Sequence, residues 1–193
     1  MVVFEKTGRE NTDAALHIAI EAASSRGYGI VAASNTGETV DRLLTLMAEA
    51  GASVPVVMVG QVDGFAAPGK NALSPEMRRS LKARGVRIVT AAHALSGAER
   101  GISRKFGGAY PVELVAHTLR MLGQGVKVCV ESGLMALDCG SIEYGRPVVC
   151  VAGTGRGADT VCILTPGYTA SLFDTRVHEI LCKPGLYTQV KTE

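Results

Sequence analysis

The sequence predicts an α/β fold: a three-layer sandwich with a mainly parallel sheet between two layers of helices. Three observations predict it. Short apolar runs alternate with stretches in which apolar residues recur at i, i+3, i+4 and i+7. The short runs are apolar throughout, as strands covered on both faces must be. Helix-starting and helix-stopping residues fall at the borders between the two patterns.

The elements follow in order. Residues 12–26 read as a helix, with Asn11 or Thr12 as N-cap and Gly27 as the stop. Asp13, His17, Glu21 and Ser24 form a polar stripe along it. A strand over 29–33 and a helix over 38–50 follow; Val40, Leu43, Leu44, Met47 and Ala48 carry the helix period. Residues 54–59 form the next strand. Ser74-Pro75-Glu76 opens another helix with a cap, a proline at N1 and an acid in the first turn, and Gly85 closes it. A strand is expected over 86–90. Pro111 starts a helix that Gly123 or Gly125 stops. Strands are expected over 126–131, 148–151, 160–164 and 178–182. The last strands are joined by loops too short for crossover helices, so some are antiparallel. Segments 61–73 and 91–110 read as long loops, of the kind that often bind ligands. The tail 183–193 reads as loosely ordered or as crossing to a neighbour.

Composition sets limits on function. The chain has 193 residues, 47% hydrophobic and 20% charged, and is read as one domain spanning 1–193. The formal net charge is +2, and the densest basic group (Arg100, Arg104, Lys105) has only Phe106 beside it, which argues against nucleic acid as a partner. No apolar run approaches the ~20 residues that span a bilayer, and the N-terminus does not read as a secretory signal. Of five cysteines, Cys129, Cys150, Cys162 and Cys182 lie in apolar runs and read as buried thiols; Cys139 lies in a turn. An odd, scattered set is expected to be reduced, in a cytoplasmic protein. A homo-oligomer is compatible with this composition.

Ligands of an open parallel sheet bind outside the carboxyl ends of its strands. Ser34, Asn35, Thr36, Gly37 and Thr39 would follow the first central strand and open a helix, where N–H groups and hydroxyls converge on an anion such as a phosphate. The plainer reading is an ordinary capped helix start. Asp63, Gly64 and Phe65 follow the second strand; His93, Ser96, Arg100 and Arg104 follow the third; Glu131, Ser132 and Gly133 follow the fourth. Gly153, Gly155, Arg156 and Gly157 follow the fifth, either as a phosphate cradle with a fixed cation or as a tight hairpin turn. Gly37→Val is expected to obstruct the ligand's oxygens while sparing the core. No metal-ligand spacing, P-loop or nucleophile elbow is present, and no catalytic residue can be assigned.

Residues 28–59 resemble the C-terminal α/β domain of pyruvate kinases, through Ser34-Asn-Thr-Gly-Glu-Thr39 and the later Pro55-Val-Val-Met-Val59. Gly8-Arg-Glu-Asn-Thr12, Leu95-Ser-Gly-x-Glu-Arg-x-Ile-Ser-Arg-Lys105, Lys127-Val-Cys-Val-Glu131 and Arg156-Gly-Ala-Asp-Thr160 extend the likeness to a family of stand-alone proteins of this kind. The resemblance implies a bound flavin mononucleotide (FMN) and no kinase activity, since the catalytic barrel alone takes ~250 residues. The leading expectation is a binder of a phosphorylated small molecule. Its phosphate would lie on Ser34–Thr39, with charge from Arg100, Arg104 or Arg156, ring walls from Phe65 and Met58, and the 153–157 backbone at the ring's polar edge. Two alternatives stand beside it. One is a flavin-dependent oxidoreductase or phosphosugar-handling enzyme using His93, Glu131 or Asp159. The other is a regulatory effector module acting through a partner.

Overall fold

The computed structural model describes residues 1–185. Its strands are β1 (Val2–Phe4), β2 (Ile30–Ala33), β3 (Val56–Gln61), β4 (Arg87–Ala91), β5 (Val148–Ala152), β6 (Thr160–Thr165) and β7 (Arg176–Pro184). Its helices are α1 (Thr12–Arg26), α2 (Glu38–Glu49), α3 (Pro75–Ala83), α4 (Gly97–Phe106), α5 (Pro111–Arg120) and α6 (Gln124–Asp138). The strands form one sheet of order β1-β7-β6-β5-β2-β3-β4. Strands β5, β2, β3 and β4 run parallel, while β6 is antiparallel to both β5 and β7.

Alternate residues of a strand point to opposite faces, so the central strands feed two cores. Ile30 and Ala32 join Met58, Val149 and Val151 beneath α1, α2 and α3. Val31 joins Val57, Val59 and Cys150 beneath α5 and α6. The result is the three-layer α/β sandwich with a mainly parallel sheet. Helix borders follow the chemistry of their ends. Gly27 closes α1 in the left-handed conformation, and the Ser74 hydroxyl accepts the Met77 N–H at 3.1 Å to open α3.

Three expectations need correction. Residues 126–131 are not a strand; they form the first half of α6. Val126, Val128 and Val130 imitate strand alternation, but Gly125, Cys129 and Gly133 recur every four residues on the face that meets the sheet. An added Cβ would lie 2.0 Å from the Thr160 hydroxyl at Gly125 and 2.9 Å from Leu164 at Gly133. That close approach secures the helix against its weak propensity. The 91–110 segment is no structureless loop, since it contains α4. The Glu99 carboxylate accepts the Glu113 N–H, and Glu113 in turn accepts the Ser103 hydroxyl, which fastens α4 to α5. Strand β1 was not anticipated; it pairs parallel with β7. The tail splits: Lys183 and Pro184 belong to β7, and residues 186–193 lie outside the described residues. Among the described residues, no helix is long and apolar enough to cross a membrane.

Candidate functional site

A cavity of about 760 Å³ lies at the carboxyl ends of β2, β3, β4 and β5. Every segment that follows these strands contributes to its wall, and so does one face of α6. The expected residues Ser34, Asn35, Thr36, Thr39, Phe65, Arg100, Gly153, Gly155, Arg156 and Gly157 all line it.

The start of α2 is partly self-capped. The Ser34 hydroxyl accepts the Gly37 N–H at 3.1 Å, and the Thr36 hydroxyl accepts the Glu38 N–H at 3.5 Å. Among the described residues, the N–H groups of Asn35, Thr36 and Thr39 take no acceptor. Thr39 is 8% exposed and lines the cavity, and its hydroxyl has no partner among the described residues. The positive end of the helix therefore faces the cavity with donors to offer.

Gly37 itself does not face the cavity. It is buried at φ +90°, and a Cβ there would lie 2.6 Å from Met77 Cγ, beneath α3. The expectation that Gly37→Val would spare the core is overturned. Met58 is fully buried in the core and forms no wall of the cavity. Ser96 lines a neighbouring cavity of about 410 Å³ instead. Arg104 is exposed on α4 and lines neither cavity. Asp159 is fully buried and occupied as an acceptor: it takes the Gly8 and Thr154 N–H groups, each at 3.1 Å, and the Thr160 hydroxyl at 2.8 Å. A carboxylate held by three donors is a structural clasp rather than an acid or base in the cavity.

That clasp explains two of the quoted motifs. The Thr12 hydroxyl accepts the Ala158 N–H at 3.1 Å, while Asp159 holds Gly8. Gly8–Thr12 and Arg156–Thr160 therefore form one joint, with Arg9 and Arg156 beside the cavity.

On the opposite wall, Gln124, Lys127, Val128, Glu131, Ser132 and Met135 line the cavity, one face of α6 at i, i+3, i+4, i+7, i+8 and i+11. Lys127 and Glu131 are each 3% exposed and form an ion pair. The second Glu131 oxygen accepts the Leu95 N–H at 2.9 Å, tying the segment after β4 to α6. Burial holds the Lys127 ammonium below its usual range; Glu131 opposes this, and Arg120 and Arg100 reinforce it. Ser132, also 3% exposed, makes no side-chain hydrogen bond among the described residues. His93 packs edge-to-face on Phe65, with ring centroids 5.1 Å apart. Burial lowers its pKa, and Lys127 and Arg100 add to the effect against the pull of Glu131. Asn71 folds the Phe65 segment on itself by bonding Gln61, Asp63 and Leu73.

Sequence reasoning missed Arg9, Arg42, Arg120, Gln124 and Lys127. The last two became invisible once 126–131 was read as a strand, because helical spacing alone unites them. Six basic side chains line the cavity (Arg9, Arg42, Arg100, Arg120, Lys127, Arg156) against three acidic ones (Asp13, Glu38, Glu131). Arg42 is matched by Asp13, and Arg9 lies 3.6 Å from Glu38. Among the described residues, Arg100 and Arg156 have no acidic partner.

A family model described as pyruvate kinase, alpha/beta domain, matches residues 13–164. The match spans β2 to β6 and includes every segment at the cavity except Arg9 and Thr12.

Proposed function

The chain belongs to the pyruvate kinase alpha/beta domain family, and on that fold we propose that it binds a phosphorylated small molecule in this cavity, with FMN the leading candidate. One observation carries the reading: basic side chains outnumber acidic ones two to one in a cavity onto which the start of α2 opens. A helix start with free N–H groups and a surplus of cations favours a doubly charged phosphate over a neutral ligand. Kinase activity is not part of the proposal, because the described residues form one seven-stranded sheet and no catalytic barrel. A cytoplasmic setting belongs to the same proposal.

The residues fit FMN. The volume lies within the roughly 300–1,000 Å³ of sites for ligands of this size. Asn35, Thr36 and Thr39 would hold the phosphate, with Arg156 or Arg100 beside it. Phe65, Val59, Ala33, Val128 and Met135 give apolar walls for a ring system. Bound there, FMN would supply electron or hydride transfer. For this chain's part, Phe65 and Met135 would exclude water from the ring, and His93 would hold or release a proton at its rim.

A second reading, a phosphosugar-handling enzyme, is favoured by the Lys127–Glu131 pair with His93 beside it. Such a buried pair exceeds what simple binding requires.

The test starts with protein purified without added ligand. A yellow protein, or one that quenches added FMN fluorescence and is competed by inorganic phosphate, supports the first reading. A colourless protein that ignores FMN but gains thermal stability from phosphosugars moves the assignment to the second. Failure to bind any phosphorylated compound in a broad panel removes both.

A further inference from the structure

We propose that Lys127 is a site of covalent chemistry: its amine condenses with the aldehyde or ketone carbonyl of a phosphorylated ligand held in the cavity. The proposal rests on the second reading above, a phosphorylated carbonyl compound. Lys127 is the lysine that is buried among the described residues, yet it lines the cavity. A lysine that merely neutralised Glu131 would need no opening to the cavity. Here the amine is presented to a ligand whose phosphate is anchored across the sheet edge, at the start of α2. Its surroundings disfavour the ammonium form, because the side chain is buried and Arg120 and Arg100 reinforce the effect of burial against the pull of Glu131. Glu131 is held in place by the Leu95 N–H through one oxygen, which leaves the other on the lysine.

The step balances. Glu131 takes a proton from the ammonium group. The free amine attacks the carbonyl carbon, so a C–N bond forms and the carbonyl electron pair moves to oxygen, which takes up a proton. The nitrogen of the resulting carbinolamine loses a proton. Glu131, with His93 beside it, returns a proton to the hydroxyl, which leaves as water, and an imine remains. No oxidant, reductant or further reactant takes part.

The experiment uses the full chain with dihydroxyacetone phosphate and, separately, pyridoxal 5′-phosphate, each reduced with borohydride and mapped by mass spectrometry. Lys127 is expected to carry the label ahead of the exposed Lys6, Lys70, Lys82 and Lys105. The unphosphorylated probes should label it at least about 10-fold less, and Glu131→Gln should slow trapping by about 100-fold. Lys127→Arg keeps the charge facing Glu131; it should still bind the phosphorylated probes by calorimetry while losing the label. Should that variant not fold, the wild-type map decides alone. Calorimetric binding of both probes with Lys127 unlabelled overturns the covalent step and leaves the cavity reading standing. Absence of binding by either probe overturns the phosphosugar reading and the covalent step with it.

Discussion

Two glycine-bearing loops meet at the cavity, and each contains a glycine that packs against the protein's own chain, but the loops are anchored differently. The 34–39 loop follows β2 and the 153–159 loop follows β5. In both, glycine permits close approach by the protein's own chain. Gly37 faces Met77 beneath α3. Gly157, at φ +76°, would place a Cβ 2.3 Å from the Thr12 hydroxyl and 2.8 Å from Arg9 Cα. The 153–159 loop is clamped to the N-terminal segment: Asp159 takes the Thr154 and Gly8 N–H groups, and Ala158 donates to Thr12. Among the described residues, its Gly153, Gly155, Arg156 and Gly157 N–H groups take no acceptor and the Thr154 hydroxyl is buried without a partner, while the Arg156 side chain lines the cavity. Among the described residues, the 34–39 loop keeps the N–H groups of Asn35, Thr36 and Thr39, and the Thr39 hydroxyl, uncommitted at the start of α2. Uncommitted donors thus occur in both loops; what sets the 34–39 loop apart is that its donors open a helix, where the backbone dipole adds to them.

Substitution at Gly157 tests the packing half of that contrast and should have the largest effect. Gly157→Val forces a branched side chain into a left-handed position against backbone at Arg9, which cannot yield as a side-chain tip can. The expected cost is about 3 kcal/mol, read from the urea midpoint. An unchanged midpoint would detach the N-terminal strap from the loop. Gly37→Val follows at about 2 kcal/mol, because the new atoms meet side chains of Met77, Leu73 and Leu81 rather than backbone. Its folded fraction should bind a phosphorylated ligand almost as the wild type does. A stable variant that has lost the ligand would restore the view that Gly37 faces the phosphate.

Two threonines divide the two uses of a hydroxyl. Thr12→Val removes an acceptor from the Ala158 N–H and should cost about 1 kcal/mol of stability. Thr39→Val removes a hydroxyl that has no partner among the described residues, so stability should hold within about 0.5 kcal/mol while affinity for a phosphorylated ligand falls about 10-fold. Calorimetry and thermal melts on both variants decide it; equal loss of stability in the two would erase the contrast between the loops.

What the sequence discloses follows the range of the forces involved. Helix starts and stops are local, so α1, α2, α3 and α5 were legible from Gly27, the Ser34–Thr39 loop, Ser74-Pro75 and Pro111. The four parallel strands announced themselves by continuous apolar runs. Helix α6 was misread because its evidence is tertiary: Gly125 and Gly133 matter only once Thr160 and Leu164 lie against them. The same error hid Lys127 and Gln124. Met58 and Asp159 show the converse limit. Their residue types suit a ring wall and a general acid, but strand alternation turns Met58 into the core, and Gly8, distant in sequence, takes up Asp159.

The smallest expected effect concerns pH and asks which end of the cavity holds the anion. Burial keeps His93 below the ordinary value of 6.5, with Lys127 and Arg100 adding to the shift and Glu131 opposing it. As pH falls through 6.5, the unfolded chain takes up a proton that the native imidazole refuses. Native stability should therefore decline on acidification and level off once the buried ring protonates at its own lower pKa. His93→Gln should flatten that part of the profile, and a melt series from neutral to mildly acidic pH reads it directly. An anion bound within reach of His93 stabilises the imidazolium, raises its pKa toward the unfolded value and shallows the decline. Addition of a phosphorylated ligand should do this weakly if its phosphate lies on the 34–39 loop with the rest of the molecule intervening, and strongly if the phosphate lies between Arg100 and Lys127. A strong effect would move the anchor from α2 to α6 and make the open donors at Thr39 a secondary contact.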